Sequence, residues 1–303
     1  MKNLAILCTI IVISISCNGQ KKKFTYSNIT VNHIEFDDIT YTIYKKTQDT
    51  LQIEGVLKRK AIIDDIPCYG NVTFTKGWEL KKFTLAEDHV FAGNNFPEDT
   101  YIEMGIDLNL QSDIGSLENY FAIRGARYQI INKCVFASNQ LINGISCHAG
   151  EGVFFRPNWN LISCILADDD TIAGNVLPKG TFIRFDHDGM ICCFCLVDPH
   201  IQGYECSGTD YTHWTWMGGG GVFLYPNGRL QYFQPVEDIE IQGVFCKPSS
   251  VRGGIYLYEN GRLKKCTSAM DQTIDGVFCG KNFTLKFDEN GTLIYAKKEK
   301  IFD

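Results

Sequence analysis

The chain has 303 residues, 45 % of them hydrophobic and 21 % charged, with a formal net charge of −6. That balance is globular, and it speaks against a nucleic-acid partner because "KKK" at 21–23 is too short to make a basic face. Aromatics at 13 %, with 28 glycines and only 8 prolines, lean towards β structure with many turns.

In chain order, "MKNLAILCTIIVISISC" reads as a targeting segment. Lys2 supplies the positive start, and the apolar run Leu4 to Ile15 falls short of the roughly 20 residues of a membrane span. It ends in a small residue before Cys17, which resembles the lipobox of bacterial lipoproteins, although Ser14 stands where Leu is usual. A plain signal peptide is the alternative. Cleavage before Cys17 and its acylation would leave an exported chain anchored by lipid in a bacterial envelope, facing the periplasm or the cell surface. Residues 18–23 then read as a polar tether and 24–60 as strands capping an array. Residues 61–140 read as degenerate β repeats, 141–296 as regular β-hairpin repeats and 297–303 as a tail.

Two signatures alternate in the regular part. The first is I-x-G-x-x-C, in "INGISC" (142–147), "IQGYEC" (201–206), "IQGVFC" (241–246) and "IDGVFC" (274–279). The second is an apolar residue, turn residues, Gly, any residue and Leu, as in "LYPNGRL" (224–230), "LYENGRL" (257–263) and "FDENGTL" (287–293). Gly144, Gly174, Gly203, Gly243 and Gly276 are spaced by 30, 29, 40 and 33 residues, so the unit is about 30 residues with insertions. Pro226 cannot donate the N–H that a two-residue turn on Asn227-Gly228 requires. A type I turn with Gly228 as a left-handed bulge is therefore predicted, with Arg229, Arg262 and Lys264 in solvent and Leu230 and Leu263 inside.

"FRPNWNL" (155–161) and "FTKGWEL" (74–80) place Trp159 and Trp78 where Gly belongs. A changed turn with the indole packed on a neighbouring hairpin is expected, because a left-handed non-Gly residue costs about 1 kcal/mol or more. An exposed aromatic contact is the alternative. In I-x-G-V-x-C a bend at Gly brings both sets of small and apolar residues to one core, giving three strands per unit. The predicted fold is all-β: an elongated array of ~30-residue β-hairpin repeats, solenoid-like or a long meandering sheet.

The hairpin phrase resembles the MORN-type hairpin repeats of many bacterial lipoproteins and antitoxin-like proteins, over roughly residues 142–296. The chain departs from them in its longer period and its added I-x-G-x-x-C element. The resemblance implies an interaction array rather than an enzyme and transfers no functional residue.

Of 13 cysteines, 11 lie beyond Cys17. Cys68, Cys147, Cys206, Cys246 and Cys279 recur at one position, which predicts a buried packing ladder; disulfides are the alternative for an exported chain. "CCFC" (192–195) near His187 and His200 is the most enzyme-like cluster, yet alternation points Cys193 away from Cys192. Aspartates in "ADDD" (167–170), "VDPH" (197–200) and "LAED" (85–88) read as turn residues bonding backbone N–H groups, with calcium as the alternative. No cofactor, metal set or catalytic residue is expected. The candidate site is the insertion "SGTDYTHWTWMGGGG" (207–221), where Tyr211, His213, Trp214 and Trp216 would meet a protein or glycan partner. These rings could instead fold back over the array. The expectation is a non-enzymatic envelope lipoprotein. A thiol- or carboxylate-dependent hydrolase of envelope material and a purely structural repeat protein are the alternatives.

Overall fold

The computed structural model describes residues 12–18, 21–44, 46, 50–106, 131–185, 191–208, 221–248 and 254–298. Among them every regular element is a β-strand. The described residues fall into two compact units: 12–106, 131–143 and 149–161 form the first, and 144–148 and 162–298 form the second.

In each unit long arms pair antiparallel in chain order. The first unit opens with Val12–Asn18, Lys21–Val31, Ile34–Tyr44 and Thr50–Leu57. It continues through Ile66–Phe74, Leu80–Leu85, Tyr101–Ile106, Ile131–Val135 and Gly152–Phe155. Lys21 to Lys23, expected in the tether, instead open a strand opposite Thr42 to Tyr44. In the second unit the hairpins Phe182–Phe185/Ile191–Phe194, Val222–Leu224/Leu230–Phe233, Ile255–Leu257/Leu263–Thr267 and Phe283–Phe287/Leu293–Lys298 pair side by side. The repeats therefore build a meandering sheet within each unit.

The long turns follow the prediction. Gly228 has φ 81°, its N–H bonds the Tyr225 carbonyl, and Tyr225 N–H bonds the Arg229 carbonyl. Gly261 and Gly291 repeat both bonds with Tyr258/Arg262 and Asp288/Thr292. Leu230 and Leu263 are buried, while Arg229, Arg262 and Lys264 are exposed.

The tryptophan turns are not changed turns. Trp78 and Trp159 adopt φ 67° and 63° themselves and bond the carbonyls of Thr75 and Arg156, the wiring of the glycine turns. Packing offsets the strain. Trp159 is buried, stacked on Phe91 at 4.6 Å and against Phe96 and Phe155. Trp78 rests on Phe74 and Tyr41.

A second correction concerns I-x-G-x-x-C. It is not a bent strand but a complete short hairpin, so the unit has four strands. Ile239–Ile241 pairs with Val244–Cys246 and Gln272–Ile274 with Val277–Cys279. Both turn residues are left-handed, as a type I′ turn requires: Gln242 at 54° and Gly243 at 82°, Asp275 at 51° and Gly276 at 78°. Ala92-Gly93, Ala173-Gly174 and Gln202-Gly203 do the same.

The short hairpins cover one face of the long-arm sheet, and the core lies between the two layers. In the first unit, Phe83, Ile102, Cys134 and Val153 face one another across four strands and are fully buried. In the second, Cys164, Ile183, Cys193 and Val222 form such a row, joined by Phe233–Ile255 and Cys266–Leu285. Ile241, Val244 and Cys246 of a short hairpin are buried as well.

Two recurrent contacts hold the short hairpins in place, and a third ties consecutive long hairpins together. Link carboxylates at Asp88, Asp169, Asp198 and Asp271 each accept the backbone N–H ten residues on, and Asn139 does so with its amide oxygen. This is the turn role expected of those aspartates. At Asp238 the tenth residue is Pro248, which has no N–H. At three hairpins the residue before the turn glycine clasps the next long turn: Gln242 Nε2 donates to Gly261 O while its Oε1 accepts from Leu263 N. Gln202 does the same with Gly228 and Leu230, and Asp275 accepts from Leu293 N. Between repeats, Tyr225 Oη donates to Leu257 O and Tyr258 Oη to Phe287 O.

Candidate binding surfaces

Tyr211, His213, Trp214 and Trp216 lie outside the described residues, as does His187. Cys17 lies in the strand Val12–Asn18, opposite Lys22 of the adjacent strand.

The eleven cysteines from Cys68 to Cys279 are buried with free thiols. Five share one local geometry: the thiols of Cys68, Cys147, Cys206, Cys246 and Cys279 each reach the carbonyl two residues earlier at 3.4–3.6 Å. Burial pushes Cys68 and Cys206 up to about 12 and Cys195 up to about 11. Burial beside Cys195 and Cys192 also raises Cys193 far above the usual thiol range. A nucleophilic thiolate needs the opposite shift and an approach from solvent. The "CCFC" strand offers neither, since Cys192, Cys193 and Cys195 are all buried, with Cys193 in the core row. Among the described residues no group of three His, Cys, Asp or Glu side chains converges as a metal site.

Two surfaces remain that sequence reasoning did not single out. The first is the outward side of the short hairpins. Where the inner residues of each strand turn to the core, its middle residue must face water, yet that position is repeatedly apolar. It is Ile62, Val90 and Leu141 in the first unit, with Ile62 73 % exposed and Leu141 71 % exposed. In the second unit the exposed apolar residue is on the second strand instead, at Val176, Phe245 and Phe278, facing Thr171, Glu240 and Thr273 across the hairpin, while the hairpin at Ile201 has Glu205 there. The links add exposed Leu196, Val197, Val236 and Met270. Exposed apolar side chains scattered singly need no explanation, but recurrence at the middle of the first strand in one unit and of the second strand in the other does.

The second surface is the other face of the sheet in the second unit. One cross-strand row runs Ser163, Arg184, Cys192, Phe223, Tyr232, Tyr256, Lys265, Lys286, Tyr295. Its first four members are buried, and by Lys286 it is exposed. Tyr232 and Tyr256 approach at 4.7 Å, and Gly254 leaves room for the Tyr232 ring, which a Cβ there would meet at 2.3 Å. Lys265 Nζ lies 5.4 Å from the Tyr256 ring and Lys286 Nζ 4.9 Å from the Tyr295 ring.

Charge separates between the layers. The arms of the last three long hairpins carry Lys264, Lys265, Lys286, Lys297 and Lys298 and no carboxylate. The short hairpins and links between them, residues 234–248 and 268–280, carry Glu237, Asp238, Glu240, Asp271 and Asp275 against Lys247. Ion pairs among the described residues lie in the first unit: Lys23–Glu54, Arg59–Glu35, Lys60–Glu98 and Lys82–Glu103.

No family model matches the chain. No curated protein matches it.

Proposed function

We propose that this chain is a non-enzymatic, lipid-anchored envelope protein that holds a protein partner against the outward side of its short hairpins. The observation carrying this reading is the apolar residue kept exposed at the middle of the second short-hairpin strand at Val176, Phe245 and Phe278, three of the four hairpins from 170 to 279, with Glu205 in that place in the other. Burying three such side chains contributes about 1.5–3 kcal/mol each, and the acidic residues beside them favour a partner whose contact surface is aliphatic and basic. The lipobox-like "SISC" supports an anchor at Cys17, and the likeness of the long turns to MORN-type hairpins supports an interaction array. The buried, weakly acidic thiols give no support to a thiol hydrolase.

The test compares wild type with Phe245→Asp/Phe278→Asp in crosslinking on envelope membranes. One crosslinked protein should be lost in the double variant while its melting temperature stays within a few degrees. An identical crosslinking pattern would refute the partner surface. Separately, Cys17→Ala should move the protein from the membrane fraction to the soluble fraction, and a protein that stays on the membrane refutes the anchor.

A further inference from the structure

We infer that the accessible end of the tyrosine–lysine row, half-buried Tyr232, Tyr256, Lys265 and Tyr295 with exposed Lys286, is a binding site for an acidic polysaccharide. It is distinct from the partner surface above. The row lies on the face of the sheet turned away from the short hairpins, because neighbouring residues Phe233, Ile255, Cys266 and Leu285 point into the core.

Three observations carry the inference. First, the cations have no carboxylate partner: among the described residues none of Lys264, Lys265, Lys286 and Lys297 forms an ion pair, and each lies near a tyrosine ring. Second, the arms that carry them hold no carboxylate, whereas the opposite layer of the same repeats is acidic. An anion is therefore drawn to one face of this region and repelled from the other, in a chain whose net charge is −6. Third, the rings lie along the sheet. Tyr232 packs over the backbone at Gly254 and against Tyr256, Lys265 Nζ stands by the Tyr256 ring, and Lys286 and Lys297 both approach the Tyr295 ring.

A sugar ring offers an apolar C–H face to stack on such a ring and hydroxyls to bond its edge, while uronic carboxylates or phosphate substituents meet the lysines. From Tyr232 to Tyr295 the row crosses five strands, which at strand spacing is about 19 Å, long enough for several sugar units. Single-stranded nucleic acid also combines anions with flat rings. It is bound by stacking of successive bases on aromatic platforms along a basic groove, and here the two tyrosines in contact are tilted 55° to each other.

The experiment is calorimetric titration of the lipid-free chain with oligogalacturonate, its methyl-esterified neutral form, and oligothymidylate of matched charge. Oligogalacturonate should bind and weaken with added salt, and the neutral form should lose about tenfold or more in affinity. Lys265→Ala/Lys286→Ala should cost a similar factor with a melting temperature within a few degrees of wild type, since each gives up only a surface contact with a tyrosine ring. Tyr256→Ala should weaken binding of the charged and the neutral oligosaccharide alike. Phe245→Asp/Phe278→Asp should leave the titration unchanged, so the two surfaces stand or fall separately. The inference is overturned if oligogalacturonate does not bind, if the double lysine variant binds it like wild type, or if oligothymidylate binds more tightly.

Discussion

The glycine turns and the tryptophan turns of this chain are wired identically and stabilised differently. At Gly228, Gly261 and Gly291 the left-handed residue is cheap and the turn is self-sufficient. At Trp78 and Trp159 the same φ is held by a side chain that prefers not to adopt it, so packing must compensate locally. The contrast teaches that the hydrogen-bond pattern of the turn, not its glycine, is what the repeat preserves. The glycine turns themselves split in two. A Cβ on Gly228 would come within 2.0 Å of the Ala173 carbonyl oxygen, whereas around Gly261 there is open space.

The largest effect that would break the comparison is loss of the buried indole. Trp159→Ala should destabilise the fold by about 3–5 kcal/mol, because it empties the site between Phe91, Phe96 and Phe155. Trp159→Gly should be milder than Trp159→Ala by about 1 kcal/mol, since it removes the strained φ along with the ring. Equal losses in denaturant titrations would mean the turn carries no strain. Next comes Gly228→Ala, expected to cost about 3 kcal/mol from a left-handed Cβ and a backbone clash together.

The thiols test what the two regions share, because Cys68 in one unit and Cys206 in the other are both raised to about 12. Folded-state values above the unfolded value near 9 mean that the unfolded chain ionises first. Stability should therefore be level up to about pH 8.5 and then fall towards pH 12 by about 1.4 kcal/mol per pH unit for each thiol. Cys206→Ala should make that decline shallower in melting curves taken between pH 8 and 10.5. The smallest effect sharpens the comparison: Gly261→Ala, with no clash, should cost only about 1 kcal/mol, and Gly261→Asn less. If Gly261→Ala matched Gly228→Ala, contact with Ala173 would be irrelevant.

Legibility in the sequence followed the chemistry of single residues. Pro226 lacks an N–H and so pointed to the bulged turn, which Gly261 and Gly291 form as well with Glu259 and Glu289 in the proline's place. The four-strand unit was harder to see, because a two-residue reversal leaves Ile241, Val244 and Cys246 on the core side much as a bent strand would. The telling sign was the residue before each glycine, polar as Gln202, Gln242 or Asp275, whose clasp on the following turn only the fold explains. Alanine at 92 and 173 hides even that. The tyrosine–lysine row was present in the sequence as alternating letters. Its meaning depended on knowing that neighbouring strands bring Tyr256, Lys265 and Lys286 into line and that the acidic links belong to another layer.

The tyrosine bonds between repeats have a consequence for descent. Tyr225 and Tyr258 are 33 residues apart and hold the same place against the repeat that follows. Excising the intervening stretch would rejoin the chain at an equivalent junction, with Tyr225 reaching Phe287 as Tyr258 now does. Copy number is thus a heritable variable uncoupled from the design of any one copy, and a lineage can lengthen or shorten its reach by unequal crossing-over without inventing a new interface.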